Sequence, residues 1–148
     1  MIGVVILNFN SFEDTIILVK ALQKQSLADD LKIVIVDNCS PNDSFSKLKY
    51  LGELYFNTIV IKTPTNLGYA KGNNFGLTYL DEYYRPEYVA ILNNDIILKE
   101  DCFAKLIERY ALLPKPGIIS PIQLDLNKQV CLPYKMNSFI DDCLSLFY

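Results

Sequence analysis

Four short apolar runs, rich in β-branched residues, punctuate the chain: Val4–Leu7, Ile33–Val36, Thr58–Ile61 and Val89–Leu92. Unbroken runs of this length suit strands covered on both faces, since a strand with one wet face alternates apolar and polar positions. The first three read as successive strands of a parallel sheet. Longer stretches with helical spacing lie between them. Ser11 precedes the first of these and Asp14 stands three residues on, a capping pattern, while Ile16, Ile17, Val19 and Leu22 supply an apolar face. Further helices are predicted over Ser44–Glu53, Ala70–Leu80 and Glu100–Leu113, the last stopped by Pro114 and Pro116. Strand and helix in alternation predict an α/β fold, an open, doubly wound, mostly parallel sheet flanked by helices on both faces. After Pro121 the pattern weakens, with a short strand at Val130–Leu132 and a terminal helix of mixed pattern at Asn137–Phe147.

The length, 148 residues, suits one domain spanning the chain, and 51% hydrophobic against 21% charged residues excludes a disordered or low-complexity protein. A net charge of -3 argues against a sequence-independent grip on nucleic acid, so none is expected as a partner. The chain has no His, which removes imidazole bases, Ser/His/Asp and Cys/His nucleophile systems and His-containing zinc sites. Chemistry must fall to carboxylates, amides, hydroxyls, lysines or a metal held by oxygen. Four scattered cysteines, without a CxxC pair, point to a reducing, cytoplasmic setting. The apolar start, Met1–Leu7, lacks the features of a signal peptide, and no apolar run approaches the ~18 residues of a membrane span, so membrane contact is expected to be peripheral at most.

In such a sheet, ligands bind beyond the carboxyl ends of the strands. Three strands release into loops rich in amides and acids, Asn8-Phe9-Asn10-Ser11, Asp37-Asn38-Cys39-Ser40-Pro41-Asn42-Asp43 and Asn93-Asn94-Asp95, and a fourth loop, Asn66–Asn74, opens the third helix. Asp95 can offer a carboxylate to Mg²⁺ or Mn²⁺, which takes one or two protein carboxylates and completes its shell with diphosphate and water, or Asn94-Asp95 can simply form a turn. Asp37 can read the ring N–H of uracil, thymine or guanine, or cap the Ser40-Pro41 turn. Phe9 can stack on a base or belong to the core. Gly68 and Gly72 flank a helix start whose free N–H groups, with Lys71, can meet a diphosphate; equally, Gly68 can serve a turn and Asn73 a helix cap.

Together these segments resemble family 2 glycosyltransferases of the GT-A fold, in particular the rhamnosyltransferase-like bacterial members. Val4–Ser11 is similar to the family's opening strand and base-contacting loop, and Ile33–Ser40, ending Val-Asp-Asn-Cys-Ser, to its second strand with the nucleotide-reading aspartate. Asn66–Gly76 is similar to its Asn-Leu-Gly segment and following helix. Leu92-Asn93-Asn94-Asp95 stands where the family has its DxD-type metal motif, here as Asn-x-Asp. The resemblance covers about residues 1–124, leaving 125–148 as a less regular tail.

The resemblance implies a nucleoside-diphosphate-sugar donor, UDP- or dTDP-linked by preference, held by Asn8, Phe9, Asn10, Asp37, Asn66, Gly68, Lys71, Asn73 and Asn93, with Mn²⁺ or Mg²⁺ on Asp95. It implies inverting transfer to a glycan or lipid-linked acceptor, and surface-polysaccharide synthesis at the inner face of the cytoplasmic membrane. The family's acceptor region, with its Gly-Gly-Phe-Asp-Glu stretch and Glu-Asp pair, has no counterpart in this sequence; Asp142, in Asp141-Asp142, is the one substitute base, and is more simply a solvent-facing residue. A second reading follows, a truncated donor-binding fragment that binds nucleotide-sugar without transferring it. Its apolar tail, Phe139, Ile140, Leu144, Leu146 and Phe147, would then cover the domain or contact another chain as an oligomer or partner surface. A receiver-like regulator also fits the alternation, but calls for clustered acids where Asn8 and Asn10 stand.

Overall fold

The structure is a computed structural model and describes residues 1–114, 116–125 and 127–132. The terminal helix expected at 137–147 and the acid Asp142 lie outside the described residues. The chain divides into two compact units, Met1–Ala104 and Lys105–Tyr148.

In the first unit the elements run β1 (Ile2–Asn8), α1 (Phe12–Leu22), a 3-10 turn (Ala28–Asp30), β2 (Leu31–Asp37), α2 (Ser44–Leu54), β3 (Thr58–Lys62), α3 (Gly68–Tyr83) and β4 (Tyr88–Leu92), with α4 (Cys102–Ala111) starting at its end. The strands form one parallel sheet in the order β3-β2-β1-β4. The two central strands are buried along nearly their whole length, with Val4, Val5, Ile6 and Ile33–Val36 fully enclosed. That is the physical reason for their unbroken apolar runs: each face meets a helix, so no position is left for a polar residue.

The faces are divided by the pleat. Gly3, Val5 and Leu7 look toward α3: a Cβ on Gly76 would lie 2.7 Å from Val5 Cγ1 and 2.8 Å from Val36 Cγ2, and one on Gly72 would lie 2.6 Å from Leu7 Cδ1. Glycine at both positions lets α3 settle directly on the sheet. Asn8, of the opposite parity, meets Thr15 of α1. The chain thus steps outward from β1 to β3 and returns through α3 to β4 on the other side of β1, which makes the gap between β1 and β4 the switch point of the sheet.

Two local expectations differ from the structure. The buried face of α1 is Thr15, Leu18, Val19 and Leu22, while Ile17 is 64% exposed, so the face is rotated from the one read in the sequence. β4 is not covered on both sides: as the edge strand it leaves Val89 and Ile91 about half exposed, at 49% and 47%. The run at 130–132 is a strand, β6 (Val130–Leu132), paired antiparallel with β5 (Gln123–Leu124) in the second unit. No helix of the described residues is long and apolar enough to cross a membrane.

Candidate functional site

The carboxyl ends of β1, β2 and β4 and the start of α3 surround a cavity of about 440 Å³. Leu7, Phe9 and Ser11 line it from β1 and its loop, Asn38 from the end of β2, Asn66, Gly68 and Tyr69 from the loop into α3, and Asn93, Asn94 and Asp95 from the loop after β4. It lies at the switch point, where the diverging connections leave a crevice.

Each wall is held in place by local chemistry. Asn66 Oδ1 accepts hydrogen bonds from the Gly68 amide at 2.9 Å and from Asn38 Nδ2 at 2.9 Å. The first of these bends the chain into the helix, and Gly68, at φ 73, takes the left-handed conformation that a side chain resists. Asn38 is a clamp: its Oδ1 also accepts from Thr63 Oγ1 at 3.2 Å and the Leu67 amide at 2.9 Å. Tyr69, 60% exposed, donates to Asn93 Oδ1 at 3.0 Å and so ties the start of α3 to the loop after β4. Phe9, 44% exposed, leaves much of its surface uncovered by the core. Asn10 (φ 61) and Cys39 (φ 58) place two further left-handed residues in the neighbouring loops, a cost of about 1 kcal/mol or more each that the surrounding hydrogen bonds offset.

The residues singled out in the sequence fall into three groups. Phe9, Asn66, Gly68, Asn93 and Asp95 line the cavity. Asn8, Asp37 and Asn73 are buried outside its lining. Both Asp37 oxygens are engaged inside the protein, Oδ1 by Asn8 Nδ2 at 2.9 Å and Ser40 Oγ at 2.6 Å, Oδ2 by the Ser40 amide at 3.1 Å. Asn73 Nδ2 donates back to the Tyr69 carbonyl at 3.0 Å, and its Oδ1 is buried with no partner among the described residues. Asn10 and Lys71 are exposed and stand outside the lining. Sequence reasoning passed over Leu7, Ser11, Asn38, Tyr69 and Asn94 as site residues. Ser11, expected to cap α1, makes no capping bond with its hydroxyl, which accepts from Asn94 Nδ2 at 2.7 Å. The polar loops were the available signal, but which of their side chains turn into the cavity follows from strand parity.

Residues 3–124 match the family model described as glycosyl transferase family 2. The chain belongs to that family. Its fold is the Rossmann-like GT-A fold, shared with solved glycosyltransferases of low sequence identity. A mannosyltransferase from Pyrobaculum calidifontis, PcManGT, solved with GDP-Man and Mn²⁺, superposes with a TM-score of 0.64 at 19% identity over 72% of this chain and 31% of that one. S. aureus TarS gives 0.62 at 22% identity, covering 74% of this chain and 20% of TarS. A shorter TarS form bound to UDP gives 0.64 at 18% identity, covering 82% of this chain and 38% of that one. This family 2 chain therefore spans between a fifth and two fifths of the length of these solved relatives. No curated protein matches its sequence.

The cavity fits a divalent cation through the donors it offers. Asp95 is exposed, and its carboxylate has no hydrogen bond or ion pair among the described residues, which leaves it for a ligand from outside. The remaining polar lining is amide and hydroxyl, without sulfur or imidazole; Asn38, Asn66 and Asn93 already accept hydrogen bonds at Oδ1, so the amide oxygen without a partner among the described residues is that of Asn94, beside Asp95. No group of three acids, cysteines or histidines gathers among the described residues, so any cation held here keeps most of its shell for water and ligand oxygens, as Mg²⁺ and Mn²⁺ do.

Proposed function

We propose that the chain binds a nucleoside-diphosphate sugar, UDP- or dTDP-linked by preference, and serves inverting transfer of its sugar to a glycan or lipid-linked acceptor in polysaccharide synthesis. The observation that carries this reading is the Asp95 carboxylate, without a partner among the described residues, in a switch-point cavity walled by the exposed ring of Phe9. Family membership and neighbours whose names record GDP-Man with Mn²⁺, UDP and UDP-GlcNAc support it.

Asp95 would hold Mn²⁺ or Mg²⁺, and a bound cation of this kind supplies charge stabilisation to a departing diphosphate. The chain's own residues bind and orient. Phe9 offers a flat face to the base. Asn93, whose Oδ1 is held by Tyr69, keeps its NH₂ group for an acceptor oxygen. Gly68, without a side chain, lets a ligand approach the first turn of α3, where the positive end of the helix dipole and Lys71 favour a phosphate, the Gly68 N–H itself being taken by Asn66. Asp37, with both oxygens engaged, acts through the loop it fixes, and in this reading the base is met at Phe9 and the Asn38–Asn66 wall. The setting in this reading is the cytoplasm, at the inner face of the membrane.

One observation favours the second reading, donor binding without transfer. Asp95 is the only acid lining the cavity among the described residues, so no further carboxylate stands ready to take the proton of an acceptor hydroxyl. Calorimetry with UDP-, dTDP- and GDP-sugars, with and without Mn²⁺, separates the two when donor loss is followed over time. Turnover that Asp95→Ala abolishes supports transfer. Mn²⁺-dependent binding without turnover supports the donor-binding reading, and absence of binding to every donor overturns both.

A further inference from the structure

A chain of hydrogen bonds, buried from Asp37 to Thr15 and half-buried at Asn94, runs behind the cavity and joins the ends of β1, β2 and β4. It starts at Asp37 of β2, whose Oδ1 accepts from Asn8 Nδ2 at 2.9 Å, the two residues being partners in the β1–β2 register. Asn8 Oδ1 accepts from Thr15 Oγ1 at 3.0 Å. Thr15 Oγ1 in turn accepts from Asn94 Nδ2 at 3.0 Å, in the loop that carries Asp95. Asn8, Thr15 and Asp37 are each 0% exposed.

The chain has a direction, and the chemistry of its members dictates it. A carboxylate only accepts, so Asp37 obliges Asn8 to turn its NH₂ end inward. The other end of that amide is an acceptor, which obliges the single Thr15 hydroxyl proton to point at Asn8 rather than at the Ser11 carbonyl 3.3 Å away. The lone pairs left on Thr15 oxygen can then only accept, and what they receive is the Asn94 NH₂ group. The Ser11 carbonyl, which can only accept, lies 3.3 Å from Asn94 Nδ2 and fixes the same orientation, and Ser11 Oγ takes a further bond from that NH₂ group at 2.7 Å. The carbonyl end of Asn94 is left without a protein partner among the described residues, on a side chain that lines the cavity next to Asp95. Reversing the Asn8 amide would set acceptor against acceptor and donor against donor inside a buried site, where an unmade bond costs about 1–3 kcal/mol, and reversing Asn94 would set its oxygen against the Ser11 carbonyl.

We propose that Thr15 and Asn8 are positioning residues, which transmit the fixed polarity of Asp37 to Asn94 and thereby hold the Asn93-Asn94-Asp95 loop in its cation-ready arrangement. Neither residue touches the cavity. The helix α1 carries a Thr among its buried apolar positions because the hydroxyl is needed as both donor and acceptor, a role that a Val of the same shape cannot fill. The functional part of this inference rests on the donor-binding reading above.

The test compares Thr15→Val, which removes the hydroxyl at nearly constant shape, with Thr15→Ser, which keeps it. In ¹⁵N–¹H spectra of the free protein, Thr15→Val shifts the amide signals of Asn94 and Asp95, and Thr15→Ser leaves them near their original positions. By calorimetry, the gain in UDP and dTDP affinity that Mn²⁺ gives over EDTA falls about 10-fold or more in Thr15→Val and returns in Thr15→Ser, the size expected for a supporting residue behind a metal ligand. UMP and dTMP, which lack the diphosphate, bind both variants as they bind the parent protein. Unmoved Asn94 and Asp95 signals, equal losses in both variants, or an equal loss with the monophosphates would overturn the positioning role. A parent protein that binds no nucleoside diphosphate with Mn²⁺ overturns the donor-binding reading and the functional role with it, while the spectra still judge the coupling of Thr15 to the loop. If circular dichroism shows Thr15→Val unfolded, Thr15→Cys, which matches the Thr15→Ser control in shape but is a poor donor and acceptor, takes its place with the same expectations.

Discussion

Gly76 shows how a single missing side chain sets the height of a helix over a sheet. Ala in its place would gain roughly 1 kcal/mol of helix propensity, but its Cβ would meet two valines whose branched side chains stand on the central strands and cannot swing away. Overpacking of that kind costs about 1–3 kcal/mol, so Gly76→Ala is expected to lower the urea midpoint. Gly72→Ala meets the tip of Leu7, a flexible side chain, and is expected to cost less. Cys102 offers a pH-dependent readout: burial, with the nearby Asp101 charge adding to it, holds its thiol above the ordinary range. A raised value means that the folded protein favours the protonated thiol, so this contribution to stability is full below the ordinary thiol pKa and is lost as pH rises through the raised one. Alkylation of Cys102 at pH 8, followed by peptide mass spectrometry, is expected to be slower in the native protein than in urea.

At the scale of elements, α1 separates what periodicity can and cannot say. Its boundaries were legible because a polar residue opens it and branched apolar residues recur along it. Its buried face was not, because Ile16, Ile17, Leu18 and Val19 are consecutive and any two adjacent members can define an apolar stripe. The stripe is decided by Thr15, which has no place on an apolar face until its partners Asn8 and Asn94, far away in sequence, are brought beside it. Leu18→Ala is therefore expected to cost about 2–5 kcal/mol, the range for a fully buried leucine, and Ile17→Ala less than about 0.5 kcal/mol. Chemical denaturation of the two variants measures the rotation of the face directly. The same reasoning explains β4, whose sequence resembles the central strands although half of its apolar positions face outward; being at the edge is a property of strand order, which the strand itself does not carry.

For the whole molecule, ligand binding and stability are linked by mass action. If the cavity takes a nucleoside diphosphate with Mn²⁺, ligand at 100 times its Kd stabilises the fold by about 2.7 kcal/mol. For a chain of this size that raises Tm by roughly 5–10 °C. The rise is expected with Mn²⁺ plus UDP or dTDP, and to be absent in EDTA and in Asp95→Ala, as measured by differential scanning fluorimetry. A rise that persists in EDTA would show that the nucleotide is held without the cation.

The amino-acid sequence by itself determined the order of strands and helices, the parallel sheet and the family. Strand runs, helix spacing and motif order are local or linear properties, and they survive without coordinates. It also determined that the strand ends are rich in amides and acids. Only the tertiary structure decided which of those groups face the cavity and which serve the interior. Phe9 and Asn8 are neighbours in sequence, yet one lines the cavity and the other is sealed beneath it; Asn38 stands in the wall while Asp37 lies behind. The reason is the two-residue period of a strand combined with register: pairing Asn8 with Asp37 sets both on the same face of the sheet, the one on which Asn8 meets Thr15 of α1, and sends their neighbours the other way. Register is fixed between strands, so no reading along one of them could have assigned the roles.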